Sequence, residues 1–197
     1  HWAIRYLDFP ATQAGQGEIM RLGDGSSAQN TLASVPHHIV LSHVYIHGDP
    51  LVGQKRGIAL NAAHVTITDS HVSECKGIGQ DTQAIAGWNG PGPFVIENNY
   101  LEGAGENVMF GGADPSIPNL TPADITFRRN YVSRPMSWRD PLVATPGGLT
   151  ASVTTAGSLP AGVYGYRVVA RRPVQGSMAR STASDELLVT TTAEGAV

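Results

Sequence analysis

Apolar residues fall along much of the chain in a pattern that repeats. Segments starting at Ile39, Val65, Phe94 and Ile125 each read apolar, variable, apolar, then a short polar corner, then apolar again, and they recur at intervals of 26, 29 and 31 residues. Aligned, they give three apolar columns: Ile39/Val65/Phe94/Ile125, Leu41/Ile67/Ile96/Phe127 and Ile46/Val72/Leu101/Val132. The first two lie two residues apart, the strand period, so both point to one side of a short strand. The third lies past a corner carrying Ser70, Asn99 and Asn130, where a second short strand begins. Asn suits a corner because it tolerates left-handed backbone and can bond to its equivalent in the next coil. A further apolar pulse follows in each repeat at Gly57–Leu60, Ala84–Gly87 and Asn107–Phe110, and a weaker copy of the whole motif starts at Trp2–Phe9. Three short strands per turn, stacked at about 4.8 Å per coil, predict a parallel β-helix solenoid over residues 1–140.

Composition agrees with an all-β, turn-rich chain: 15% charged residues, 23 Gly and 13 Pro among 197 residues, and no long run of strong helix formers. The net charge of −3 arises without a block of either sign, which argues against a nucleic-acid partner. No stretch approaches the roughly 18 consecutive apolar residues of a membrane span. Cys75 is the single cysteine, so no internal disulfide can form, and a buried structural thiol is the expectation. Both ends read as cut from a longer protein, secreted or on the cell surface, whose signal peptide lies outside this sequence.

After Trp138-Arg139-Asp140-Pro141 the chain turns rich in Thr, Ala, Ser, Gly and Val, and Thr145-Pro146-Gly147-Gly148 reads as a linker. Residues 149–153, 162–170 and 186–190 read as strands of a second, incomplete β-sandwich-like module over 141–197. It leaves the solenoid just after Val132, at the turn back to the strand that carries the third pulse. An insert there would overhang that face of the solenoid, or serve only as a spacer in a surface loop.

The repeat with Asn at its corner resembles the pectate-lyase-like right-handed parallel β-helix superfamily. The stretches Gly53–Asn61, Gly79–Pro93 and Gly103–Leu120 resemble a bacterial group of such repeat proteins, and the run Leu159–Val168 resembles bacterial fibronectin-type-III-like modules. The superfamily resemblance implies a polysaccharide partner and a substrate groove on the sheet that contains the third pulse. It implies no single reaction.

Candidate chemistry collects on that sheet. If Ile58, Ile85 and Val108 point inward, Arg56, Gln83 and Glu106 stack as a column over one groove edge. A lyase of acidic sugars needs a cation to stabilise a carbanion and a base to take the proton, whereas a glycosidase needs two carboxylates at a set distance. Arg56, Asp81, Glu106 and Asp114 are the candidate catalytic residues, with Glu102 a further carboxylate nearby. Lys55, Gln83, Trp88 and Asn89 are the candidate substrate-binding residues, Trp88 and Asn89 as a rim pair that stacks on and hydrogen-bonds to a sugar. The alternative for the column is a polar ladder that satisfies turn amides, and Trp88 could equally plug a gap left by Gly87. No metal or other cofactor is expected, though the superfamily resemblance admits calcium at Asp81 or Asp114. His43, His47, His64 and His71 lack metal-ligand spacing. Two functions stay open: a lyase or glycosidase, and a non-catalytic glycan-binding or adhesion protein.

Overall fold

In the computed structural model, which describes residues 1–12, 15–138, 143–174, 177–192 and 195–196, the chain is all-β and divides into two compact units, His1–Trp138 and Arg139–Val197. The expected boundary at 140/141 lies outside the described residues.

The first unit consists of three parallel sheets stacked coil upon coil, as a parallel β-helix requires. One sheet runs β1 (Trp2–Arg5), β4 (His37–Ser42), β7 (Ala63–Thr68), β10 (Phe94–Glu97), β13 (Ile125–Arg128). The next is β2 (Asp8–Phe9), β5 (Tyr45–His47), β8 (His71–Cys75), β11 (Tyr100–Gly103), β14 (Tyr131–Ser133). The third is β3 (Glu18–Gly23), β6 (Arg56–Asn61), β9 (Gln83–Gly87), β12 (Glu106–Phe110). The apolar columns read from the sequence are the observed register: Ile39 pairs with Val65, Val65 with Phe94 and Phe94 with Ile125, while Ile46, Val72, Leu101 and Val132 follow one another in the second sheet. Their side chains fill the core between the sheets, with Leu41, Ile46, Ile58, Ile67, Ile85, Ile96 and Leu101 fully buried. In the last coil Ile125, Phe127 and Val132 are 40–50% exposed, because each is the final member of its column.

The corner between the first two sheets turns on one left-handed residue per coil: Tyr6, His43, Asp69, Asn98 and Arg129, all with φ between 51° and 56°. The left-handed position is thus one residue earlier than the Asn column expected there. Ser70, Asn99 and Asn130 instead turn inward and bond along the axis. Asn99 Oδ1 accepts from the Ser70 N–H at 3.0 Å, and its Nδ2 donates to the Ile67 carbonyl at 2.9 Å. Asn130 repeats this one coil on, accepting from the Asn99 N–H and donating to the Ile96 carbonyl. Asn meets both needs of a tight corner, one acceptor and one donor on a short stem, so backbone groups that lose their ladder partners stay satisfied.

The second unit contains three antiparallel strand pairs among its described residues: β15 (Thr154–Leu159) with β20 (Gly195–Ala196), β16 (Gly162–Tyr166) with β19 (Leu187–Thr191), and β17 (Arg171–Val174) with β18 (Ser177–Arg180). Residues 149–153, expected as a strand, are irregular, since Thr154 is the first residue with a partner opposite, Ala196. The strand expected over 162–170 stops at Tyr166, where β19 begins. Beyond it the Val168 and Ala170 amides donate to the Ser184 and Ser181 hydroxyls instead.

Candidate functional site

The outer face of the sheet β3-β6-β9-β12 is set by a doubled inward step. In these strands two consecutive residues meet the core: Ile19 and Met20 in β3, Ala84 and Ile85 in β9. In β6 the first of the pair is Gly57, where an added Cβ would lie 2.5 Å from the Val72 side chain, so only glycine fits beside Ile58. This step, at the register levels Met20–Ile58 and Ile58–Ile85, leaves Glu18, Arg56, Gln83 and Glu106 in one outward column, and Arg21, Ala59, Ala86 and Met109 in the next.

The first column is bonded from end to end. Arg56 Nη1 donates to Glu18 Oε1 at 3.2 Å, and its Nε and Nη2 both donate to Gln83 Oε1, at 3.0 and 2.8 Å. Gln83 Nε2 then donates to Glu106 Oε2 at 3.1 Å. Arg21 Nη2 completes the row by donating to Glu18 Oε2 at 3.0 Å. Gln83 is wholly buried and Arg56 nearly so, whereas Glu106 is exposed at the end of the row. Burial pushes the Glu18 carboxyl up, but the Arg21 hydrogen bond and the charges of Arg21 and Arg56 outweigh it and hold the group below its ordinary value.

Trp88 stands at the far rim of this face, half-buried and fixed on two sides. Its Nε1–H donates to the Gly25 carbonyl at 3.1 Å, and the Arg56 guanidinium lies 5.4 Å from the ring centre, a cation–π distance. Gly25 is required by this approach: a Cβ there would come within 2.1 Å of the indole. The Trp88 and Asn89 amides both donate to Asn61 Oδ1 at 2.9 Å. Asn89 itself is buried: its Nδ2 donates to the Asp24 and Gln29 carbonyls, and its Oδ1 accepts from the Ile117 N–H. It tacks the loop after β12 and the loop after β3 to the coil between them, with no polar atom of its side chain turned to solvent.

The other candidates are more scattered. Lys55 precedes Arg56 in the row, its backbone held by Gly15 and Gln83, with no partner for its ammonium among the described residues. Asp81 is exposed at the same strand ends, beside Gly105. Asp114 is exposed in the loop that Ile117 anchors. Glu102 belongs to the neighbouring sheet, where it accepts from the Tyr100 hydroxyl and the Glu74 N–H. Glu18 and Arg21 were missed by the sequence reading, although Glu18–Gly23 carries the same polar-apolar-apolar-variable-apolar order as Arg56–Asn61. Among the described residues no three His, Cys, Asp or Glu side chains are grouped to hold a metal ion, and neither Asp81 nor Asp114 has a partner ligand set for calcium.

Two chemical consequences follow. Glu18 and Glu106 are separated by three coil steps, about 14 Å at ~4.8 Å each, well beyond the roughly 5–9.5 Å between the carboxylates of glycosidases. Arg56 contributes donors to both neighbours and offers no acceptor, so its guanidinium is a fixed cation and not a base. Comparison with protein-family models, with curated proteins and with solved structures gave no match to the chain.

Proposed function

We propose that this chain is part of an extracellular polysaccharide-binding β-helix of the right-handed, pectate-lyase-like kind, with the glycan lying on the outer face of β3-β6-β9-β12. The observation that carries this reading is Trp88, an indole held in one orientation by Gly25 and Arg56 beside a row of carboxylate, guanidinium and amide groups. A sugar ring offers a C–H face and a hydroxyl edge. A pre-set aromatic with a polar row next to it meets both without ordering cost on binding. Binding is favoured over hydrolysis because the column's carboxylates stand too far apart for it. A lyase is the second reading, favoured by the ammonium of Lys55 and the carboxylate of Asp81, which have no partners among the described residues, at the end of the sheet where Arg56 supplies a cation. The 141–197 module is read as a fibronectin-like insert.

The test is electrophoresis of the whole chain through gels containing neutral or uronate polysaccharides, with reducing ends and unsaturated uronates assayed in parallel. Retarded migration without turnover, weakened by Trp88→Ala in at least one gel, is the expected result. Migration unchanged in every gel removes the reading, and unsaturated product moves the function to the lyase.

A further inference from the structure

A second concave surface lies on the corner between the sheets that contain β4 and β5, away from the Trp88 face. One wall is the column of left-handed corner residues Tyr6, His43, Asp69 and Asn98. The other is the first outward column of the next sheet, Asp8, Tyr45, His71 and Tyr100, and Val44 and Ser70 form the floor between them. The groove is shallow and open to solvent, and the space along it is about 760 Å³, comparable in size to the roughly 300–1,000 Å³ of ligand sites.

The orientation of Tyr45 sets this groove apart from an ordinary aromatic ladder. His71, Tyr100 and Tyr131 stack on one another at 4.3 and 5.4 Å with interplanar angles of 15° and 13°, so their faces are turned to each other along the solenoid axis. Tyr45 breaks the stack, meeting His71 edge-on at 85°. It lies instead on His47, two residues along the same strand, at 4.3 Å and 21°, and His47 is in turn held by Asp8 at 3.2 Å. With His47 behind it, the opposite face of the Tyr45 ring is turned toward the corner column, into the groove, and the residue is 42% exposed. Around that face stand polar atoms without partners among the described residues: the Tyr6 and Tyr45 hydroxyls, the second ring nitrogen of His43, whose Nδ1 is engaged by Ser42, and both ring nitrogens of His71.

We infer that this corner groove is a second saccharide site, which takes a neutral oligosaccharide with one sugar ring on the open face of Tyr45. Charge selects the class. Asp8 and Asp69 line the groove and no lysine or arginine does, so a uronate chain would meet like charge. The Asn98 and Thr68 hydrogen bonds hold the Asp69 carboxyl below its ordinary value, and burial holds the His71 imidazole toward its neutral form, so the excess is negative at neutral pH. Hydroxyl groups of a neutral sugar match the mix of carboxylate acceptors, phenol hydroxyls and imidazole nitrogens that remains.

The site is tested by calorimetric titration of the whole chain with cellohexaose, xylohexaose, mannohexaose and maltohexaose, and with hexagalacturonate as the acidic probe. Binding of at least one neutral hexaose is expected. It should weaken about tenfold or more in Tyr45→Ala, the size of one stacking contact, and stay within about threefold of wild type in Tyr45→Phe, which keeps the ring. Trp88→Ala should leave this binding intact, which separates it from the glycan face proposed above. If circular dichroism shows Tyr45→Ala misfolded, His43→Ala on the opposite wall replaces it, with an expected loss of about threefold to tenfold. No neutral hexaose bound, hexagalacturonate alone bound, or neutral binding indifferent to the Tyr45 and His43 substitutions would each overturn the inference.

Discussion

Two polar ladders climb this solenoid, and they do opposite things. The Ser70-Asn99-Asn130 ladder is inside the corner, and its side chains bond mainly to backbone: Ser70 N–H, Ile67 C=O, Asn99 N–H and Ile96 C=O. The Glu18-Arg56-Gln83-Glu106 ladder is on an outer face, and its side chains bond to one another and to the Arg21 side chain, with charge at both ends and an indole alongside. The first repairs gaps that the bend opens in the hydrogen-bond network. The second repairs nothing in the backbone: Arg56 and Gln83 are buried in its middle, and its carboxylate ends, Glu18 and Glu106, are the members that reach solvent.

The difference should appear first in stability. Replacing Asn99 with Ala strands a buried N–H and a buried C=O and should cost about 3 kcal/mol in denaturant unfolding. Gln83→Ala removes the link in the outer ladder, but Glu106 is exposed to water and Arg56 keeps its ion pair with Glu18, so the cost should be nearer ~1–2 kcal/mol. Equal losses at the two positions would abolish the distinction between the ladders.

Much of this contrast is legible in the amino-acid sequence. The register of Ile39, Val65, Phe94 and Ile125 is the observed one, because a solenoid repeats its inward positions at nearly fixed intervals and the period-2 spacing fixes which side they take. The Arg56-Gln83-Glu106 column follows from the same logic. Glu18 did not, since the first coil matches the repeat only at Trp2–Phe9 and its third strand has to be found by its own apolar order. The roles at the corner were displaced by one residue: a left-handed φ is a backbone property that Tyr6, His43 and Arg129 adopt as well as Asn98, while the Asn side chains serve hydrogen bonds. Asn89 beside an exposed Trp looked like a sugar contact. Its partners at Asp24 and Gln29 are some sixty residues away in sequence, so nothing local to Asn89 reports them.

Smaller effects sharpen the comparison. Glu18 has its carboxyl value lowered in the folded chain, so its contribution is present above the ordinary value of 4.5 and fades as the pH falls below that through the lowered one. Wild type and Glu18→Gln should therefore differ in stability by under ~1 kcal/mol at pH 7 and converge in acid, as thermal melts across pH 3–7 (about that range) would show. The inner side should give no such signal at the thiol: burial pushes Cys75 up to about 12. A disulfide exchange reagent at mildly alkaline pH should leave it unmodified until the chain unfolds. Rapid modification of the native protein would mean that the core beside the ladder is open.

The central claim is that the outer ladder and Trp88 form a glycan surface, and the indole N–H of Trp88 reports on it directly. Its nitrogen–proton resonance, assigned by its absence in Trp88→Phe, should shift progressively as fragments of a polysaccharide that retards the protein are added. An indole resonance that stays in place while the Tyr45→Ala protein, with the corner groove disabled, binds those fragments would contradict the account.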